Sequence, residues 1–330
     1  MSKITLRDGA KLNVHMVGRG PTVVLLHGFA MPAFLWLPFV APLAHKYRFV
    51  LPDLRGFGGS HRLSLSKPCL LDQHASDLAD VLGYLGESQV LLGGLSMGAC
   101  TALQYQRHHG FSAVRAYLHM DQAPCVRNLP DWEDGLLGSL QAARLGSWAA
   151  LMADMEPYRG QAFKQIPRAL RSRLWATLGD FFGHAFALRH WQAFTSLARQ
   201  ELLIRRVAPV ANWPIYMDTL RSYLNDDYDW RPSLPNIQIP MTAMIGMQST
   251  MYPAKGQLRF KEWVPHAELV RFHRCGHAIP FESPRQFMVE LSGWLGAHRP
   301  KQVSSFRRTP ESSTGQSGEL SGTEYRPSPV

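Results

Sequence analysis

Four nearly uninterrupted apolar runs, each followed by a stretch of helical patterning, leave this chain few folds to choose from. The runs are "TVVLLHG", "RFVLPD", "QVLLGGLS" and "VRAYLHMD". Between them stand "FLWLPFVAPLAHK", the segment from about Leu71 to Leu85, and "MGACTALQYQRHH", all with helical spacing. A strand without polar alternation must be covered on both faces, and strand–helix alternation joins such strands in parallel. The expected fold class is therefore α/β, a mostly parallel sheet with helices on both faces. The chain opens differently: "MSKITLRDGAKLNVHMVG" alternates, turns at Asp8-Gly9 and alternates again. That is a hairpin signal, and it lacks the apolar core of a signal peptide.

From Gln122 to about Pro235 the strands stop, and large aromatics gather in helix-like sequence: Trp132, Trp148, Phe163, Trp175, Phe181, Phe182, Phe186, Trp191 and Phe194 among them. Alternation resumes with "MTAMIG", "PAKGQLRFKEWVP", "AELVRFH" and "SPRQFMVELSGWLGAH". The middle block thus reads as an insertion into one sheet domain. Residues 1–124 and 236–298 would form the core, and 125–235 a helical cap. Residues 299–330, rich in Ser, Gly, Pro and Thr, read as a disordered tail. With 330 residues, 45% of them hydrophobic, the chain can bury one large core with such an insertion.

The formal net charge of +10 raises the question of an anionic partner. The basic residues are scattered, however, with tight pairs only at Arg205-Arg206 and Arg307-Arg308, and no nucleic-acid motif accompanies them. No nucleic-acid partner is expected. No apolar run approaches the roughly 18 residues of a membrane span, so no stable membrane insertion is expected either. The cysteines Cys69, Cys100, Cys125 and Cys275 have neither paired nor metal-like spacing. They read as free thiols of a cytoplasmic protein, with no metal site.

One short motif carries chemistry. "GLSMG", Gly94 to Gly98, places Ser96 between the end of a strand and the start of a helix. A serine on such a strained turn projects its hydroxyl above the sheet, and the flanking glycines let strand and helix approach closely. The N–H of Met97 then points to where an oxyanion would form.

Together with "HGFAMP" (His27 to Pro32), "DLRGFGGS" (Asp53 to Ser60) and "CGHAIPFESP" (Cys275 to Pro284), this motif resembles the α/β-hydrolase fold superfamily. It is similar in particular to the branch of esterases, epoxide hydrolases, haloalkane dehalogenases and cofactor-free peroxidases. The resemblance spans roughly Ile4 to His298 apart from the insertion. It implies Ser96 as nucleophile, His277 as its base, and the N–H groups of Phe29 and Met97 as an oxyanion hole, with no cofactor. It also implies that His27 braces its loop and that Asp53 shapes a loop beside the site. Epoxide hydrolases and haloalkane dehalogenases of this fold attack with an aspartate, so Ser96 argues against both reactions.

The acid behind the histidine is the irregular part. Most of the family carries it after the strand that follows the insertion, in a pattern like G-x-x-D. This chain has Gly246-Met247-Gln248-Ser249 there, with no carboxylate until Glu262. The resemblance offers a second place, used by haloalkane dehalogenases, at the end of the strand after the nucleophile helix. In "YLHMDQAP" that place is held by Asp121, 25 positions past Ser96. The expected triad is Ser96, Asp121 and His277. An aromatic cap suits a small apolar ester or acyl substrate better than a sugar or peptide. The expected activity is hydrolysis of a carboxylic ester or thioester through an acyl-enzyme. An acyltransferase or perhydrolase would use the same residues, and a non-catalytic ligand-binding protein on this fold would account for the empty position at Ser249.

Overall fold

Eight strands make one sheet: β1 (Ser2–Thr5), β2 (Lys11–Gly18), β3 (Thr22–Leu26), β4 (Arg48–Pro52), β5 (Val90–Leu95), β6 (Val114–Met120), β7 (Met241–Gly246) and β8 (Glu268–Phe272). The computed structural model describes residues 2–187 and 212–300. The expected tail past residue 300, together with Trp191, Phe194 and the Arg205-Arg206 pair, lies outside the described residues. The sheet order is β1-β2-β4-β3-β5-β6-β7-β8. β1 and β2 pair antiparallel, β2 joins β4 antiparallel, and the ladder from β4 to β8 is parallel.

The solid apolar runs are buried on both sides. Every residue of β3, β5 and β7 is buried, and alternate residues serve two separate cores. Val23 and Leu25 pack with Trp36, Phe287 and Trp294 on one face, while Val24 and Leu26 pack with Leu103, Trp148 and Phe181 on the other. Each such side chain contributes about 1.5–3 kcal/mol on burial.

Six long helices stand among the described residues: α1 (Leu70–Leu85), α2 (Met97–His109), α3 (Gln141–Met155), α4 (Arg168–Gly183), α5 (Pro214–Asn225) and α6 (Pro284–Ala297). α3, α4 and α5 fall between β6 and β7, in the stretch where the strand pattern stops. The helix expected over "FLWLPFVAPLAHK" is instead three short pieces, at Ala33–Trp36, Leu37–Val40 and Ala41–Leu43. Pro38 and Pro42 sit at the starts of the second and third, and each lacks the N–H that a continuous helix would need there. No helix among the described residues is long and apolar enough to cross a membrane.

Candidate active site

The C-terminal ends of β5 to β8 lie side by side, stitched by backbone hydrogen bonds. Ser96 N–H donates to Met120 O at 3.0 Å, Asp121 N–H to Met244 O at 2.9 Å, and Gln248 N–H to Cys275 O at 2.9 Å. Residues far apart in sequence are thereby brought to one edge of the sheet: Ser96 after β5, Asp121 after β6, Ser249 after β7 and His277 after β8.

Ser96 has φ 53° and ψ −119°, a conformation that costs a non-glycine residue on the order of 1–3 kcal/mol. The glycines around it are set by space. A Cβ on Gly94 would stand 2.5 Å from Gly98 backbone atoms, and one on Gly98 would stand 2.4 Å from Leu26 O. Side chains there would push α2 off the sheet and straighten the turn. Of the four non-glycine residues with positive φ among those described, three border this site: Ala30, Ser96 and Asp121.

Asp121 is fully buried and its carboxylate is surrounded by donors. Oδ1 accepts the Gly246 N–H at 2.7 Å and Gln257 Nε2 at 3.1 Å. Oδ2 accepts the Ser249 hydroxyl at 2.7 Å and the His277 Nδ1–H at 2.7 Å. Hydrogen bonds to a charged group are worth about 1.5–3 kcal/mol each, which is how a buried carboxylate is tolerated. With Nδ1–H given to the acid, Nε2 is the ring nitrogen left to take a proton. No hydrogen bond joins Ser96 Oγ to the ring among the described residues; catalytic contacts of this kind commonly tighten only in the complex with substrate.

Ser249, at the place where the resemblance puts the family's usual acid, thus touches the Asp121 carboxylate. Gln257 was not singled out by the sequence, because nothing in "AKGQL" marks its amide as buried against a carboxylate 136 positions away. Glu282 lies inside the "CGHAIPFESP" motif, whose spacing marks only His277. It is 9% exposed and accepts the Gly276 N–H at 2.6 Å.

Phe29 follows the His27-Gly28 step at the end of β3. No backbone acceptor among the described residues takes its N–H or that of Met97, the first residue of α2. The Phe29 ring is walled by aromatics: Phe182 stacks on it at 5.9 Å, and Phe181, Tyr216 and Phe57 meet it edge-on at 5.6, 5.8 and 5.8 Å. Phe181 and Phe182 come from α4 and Tyr216 from α5, so the helical stretch roofs this corner of the site. His27 bridges two loops, donating from Nδ1 to Gly28 O at 2.8 Å while Nε2 accepts the Leu54 N–H at 2.8 Å. Burial holds its pKa below the ordinary histidine value. Asp53 binds the N–H groups of Ala33 and Gly59 and the Asn13 amide, at 2.7, 2.9 and 2.6 Å. Both residues spend their polar atoms on loop structure.

Among the described residues no group of three or more His, Cys, Asp or Glu side chains is arranged to hold a metal ion. A surface cavity of about 280 Å³ between Lys67 and Arg221 is lined by none of Ser96, Asp121 and His277.

A sequence profile of the α/β hydrolase fold matches residues 21–284. The chain is 26% identical over 295 residues to a pimeloyl-[acyl-carrier protein] methyl ester esterase of Aeromonas hydrophila, covering 86% of this chain and 99% of the relative. It is 27% identical over 272 residues to the esterase of the same name from Xanthomonas campestris, covering 82% and 92%. In three dimensions it is similar to an esterase from Exiguobacterium antarcticum, with a TM-score of 0.71 and 22% identity over 89% of this chain and 99% of that one. The strand order, the serine turn after β5 and the profile match agree: this chain is a member of the α/β hydrolase fold family.

Proposed function

We propose that this protein is a serine esterase that cleaves a carboxylic ester or thioester of a small apolar or aromatic acyl group through an acyl-enzyme. Ser96 attacks the carbonyl carbon, and His277 Nε2 takes the hydroxyl proton. Asp121 holds the imidazole by Nδ1 and stabilises the imidazolium. The N–H groups of Phe29 and Met97 receive the oxyanion, each worth a few kcal/mol in the transition state. His277 then returns the proton to the leaving alcohol or thiol, and water repeats the sequence on the acyl-enzyme. The observation that carries this reading is the 2.7 Å hydrogen bond between His277 Nδ1 and Asp121, set beside the strained turn of Ser96. The aromatic wall at Phe29 supports an apolar acyl group. The names of the curated relatives recommend methyl esters of linear acyl chains as the first candidates within that class.

A fluorophosphonate probe and a panel of p-nitrophenyl and methyl esters of rising chain length test it. Labelling should fall on Ser96 and vanish in Ser96→Ala, with ester turnover. Retention of more than a few per cent of turnover by pure Ser96→Ala protein would refute the assignment. A wild-type protein that neither labels nor hydrolyses any ester, yet binds apolar acyl compounds, would favour a ligand-binding role instead.

A further inference from the structure

The loop that carries His277 is gripped from two sides, and one of the two is the helical stretch between β6 and β7. On the sheet side a Cβ at Gly246 would stand 2.0 Å from Gly276 O, so only glycine lets β7 and the loop meet. On the other side Ala278 N–H donates to Ala185 O at 2.9 Å, just past the end of α4. Gly276 is not in the left-handed region, so its missing side chain reflects crowding. A Cβ there would lie 2.7 Å from Ala187 N and 2.8 Å from Glu282 Oε2. Glu282 spans the crowded point. Oε2 accepts the Gly276 N–H at 2.6 Å, and Oε1 accepts the Ala187 N–H at 2.8 Å. A third thread runs nearby, where Thr250 Oγ1 donates to His184 O at 3.2 Å, one residue past Ser249.

We propose that Glu282 is a positioning residue that ties the α4 end of the insertion to the loop of His277, so that the imidazole takes its place against Asp121 only with that insertion docked. This rests on the reading of His277 as the base. The chemistry of the contact makes a carboxylate specific. Two N–H donors point at one side chain, one from the loop and one from the insertion, and a carboxylate has an oxygen for each. A glutamine of the same shape has one carbonyl oxygen and must turn its NH₂ toward the other donor. One grip is then lost and a donor faces a donor in a buried place. Gly276 immediately precedes His277, so a shift of its N–H moves the ring directly, and a displacement near 1 Å can cost about a hundredfold in turnover.

The test compares wild type, Glu282→Gln and Ala187→Pro, the last of which removes the insertion's donor and leaves Glu282 intact. Each is measured for kcat and KM on a p-nitrophenyl ester, for thermal midpoint, and for the low-field proton resonance of His277 Nδ1–H. Glu282→Gln should stay folded, lose about ten- to a hundredfold in kcat with KM within about twofold, and broaden or lose that resonance. Ala187→Pro should move kcat and the resonance in the same direction. Wild-type kcat and resonance in folded Glu282→Gln overturn the proposal, and so does a silent Ala187→Pro, which decides alone if the glutamine variant fails to fold. If the resonance responds as expected while even wild type turns over no ester, the esterase reading falls and the positioning role stands.

Discussion

Asp121 and Ser249 share one point in space. Ser249 Oγ and His277 Nδ1 both lie 2.7 Å from Asp121 Oδ2, so a carboxylate on either residue is at hand for the same imidazole. Asp121→Asn should lower turnover by several orders of magnitude, up to about ten-thousand-fold. Gly246 N–H and Gln257 Nε2 claim an acceptor at the Oδ1 position, so the new amide turns its oxygen there and its NH₂ toward His277. That forces the proton onto Nε2, the wrong tautomer. Ser249→Ala removes one of four hydrogen bonds to that carboxylate and should cost at most about 1.5–3 kcal/mol, roughly ten- to a hundredfold. Ser249→Asp in the Asp121→Asn background should recover part of the lost turnover. Steady-state kinetics on the three variants decide the matter: a nearly silent Asp121→Asn beside a crippled Ser249→Ala would remove Asp121 from the acid's role.

Helix α4 does two jobs at its C-terminal end, placing Phe181 and Phe182 against Phe29 and leading into the segment that grips the histidine loop. Because Phe182 is half-buried and stacks directly on Phe29, Phe182→Ala should open room beside the proposed oxyanion hole. The ratio of kcat/KM for octanoyl to acetyl esters should rise by about tenfold, the scale of one or two methylenes' discrimination; an unchanged ratio would place the acyl group elsewhere. The sheet and its long helices were legible because their signal is local: a run such as "QVLLGG" declares burial on both faces, and the Gly94–Gly98 spacing declares a tight crossing. The single helix expected over residues 34–46 fails for an equally local reason, since counting apolar residues ignores the N–H groups missing at Pro38 and Pro42. Of what surrounds Asp121, only His277 was expected, through the family resemblance; the hydrogen bonds from Ser249 and Gln257 were not legible. Ser249 and Gln257 lie 128 and 136 positions away from it, and only the parallel ladder from β5 to β8 closes those distances. Glu282 sat in a quoted motif, but its second partner, Ala187, belongs to the insertion, where sequence gave no register.

Across the whole molecule, buried imidazoles should set how stability responds to acid. His119 lies fully buried on β6, its Nε2–H donating to Gln122 O and its Nδ1 accepting from the Tyr117 hydroxyl, both at 2.8 Å. Burial pushes its pKa down to about 4, from an ordinary 6.5. His74, against Arg55 O at 2.9 Å, is pushed down to about 3 by burial and by repulsion from His27 and Arg55. Both are neutral when folded at moderately acid pH, whereas the unfolded chain protonates them below about 6.5. The unfolded state therefore binds more protons, and stability falls as pH drops from about 6.5 toward the folded values of 4 and 3. The slope reaches about 1.4 kcal/mol per pH unit for each histidine below its unfolded pKa and is half that at pH 6.5, so the two together would cost on the order of 3 kcal/mol between pH 6.5 and 5. That is a large share of an ordinary domain's 5–15 kcal/mol. Carboxylates held below their usual range, such as Asp72 beside Gln104 and His108, contribute in the same direction but only nearer pH 4, so the first losses belong to the histidines. Urea midpoints measured between pH 7 and 5 should fall steadily, and His119→Gln should flatten the slope by close to one proton even if it lowers stability at pH 7. A flat profile over that range in wild type would mean that these rings take up protons without unfolding.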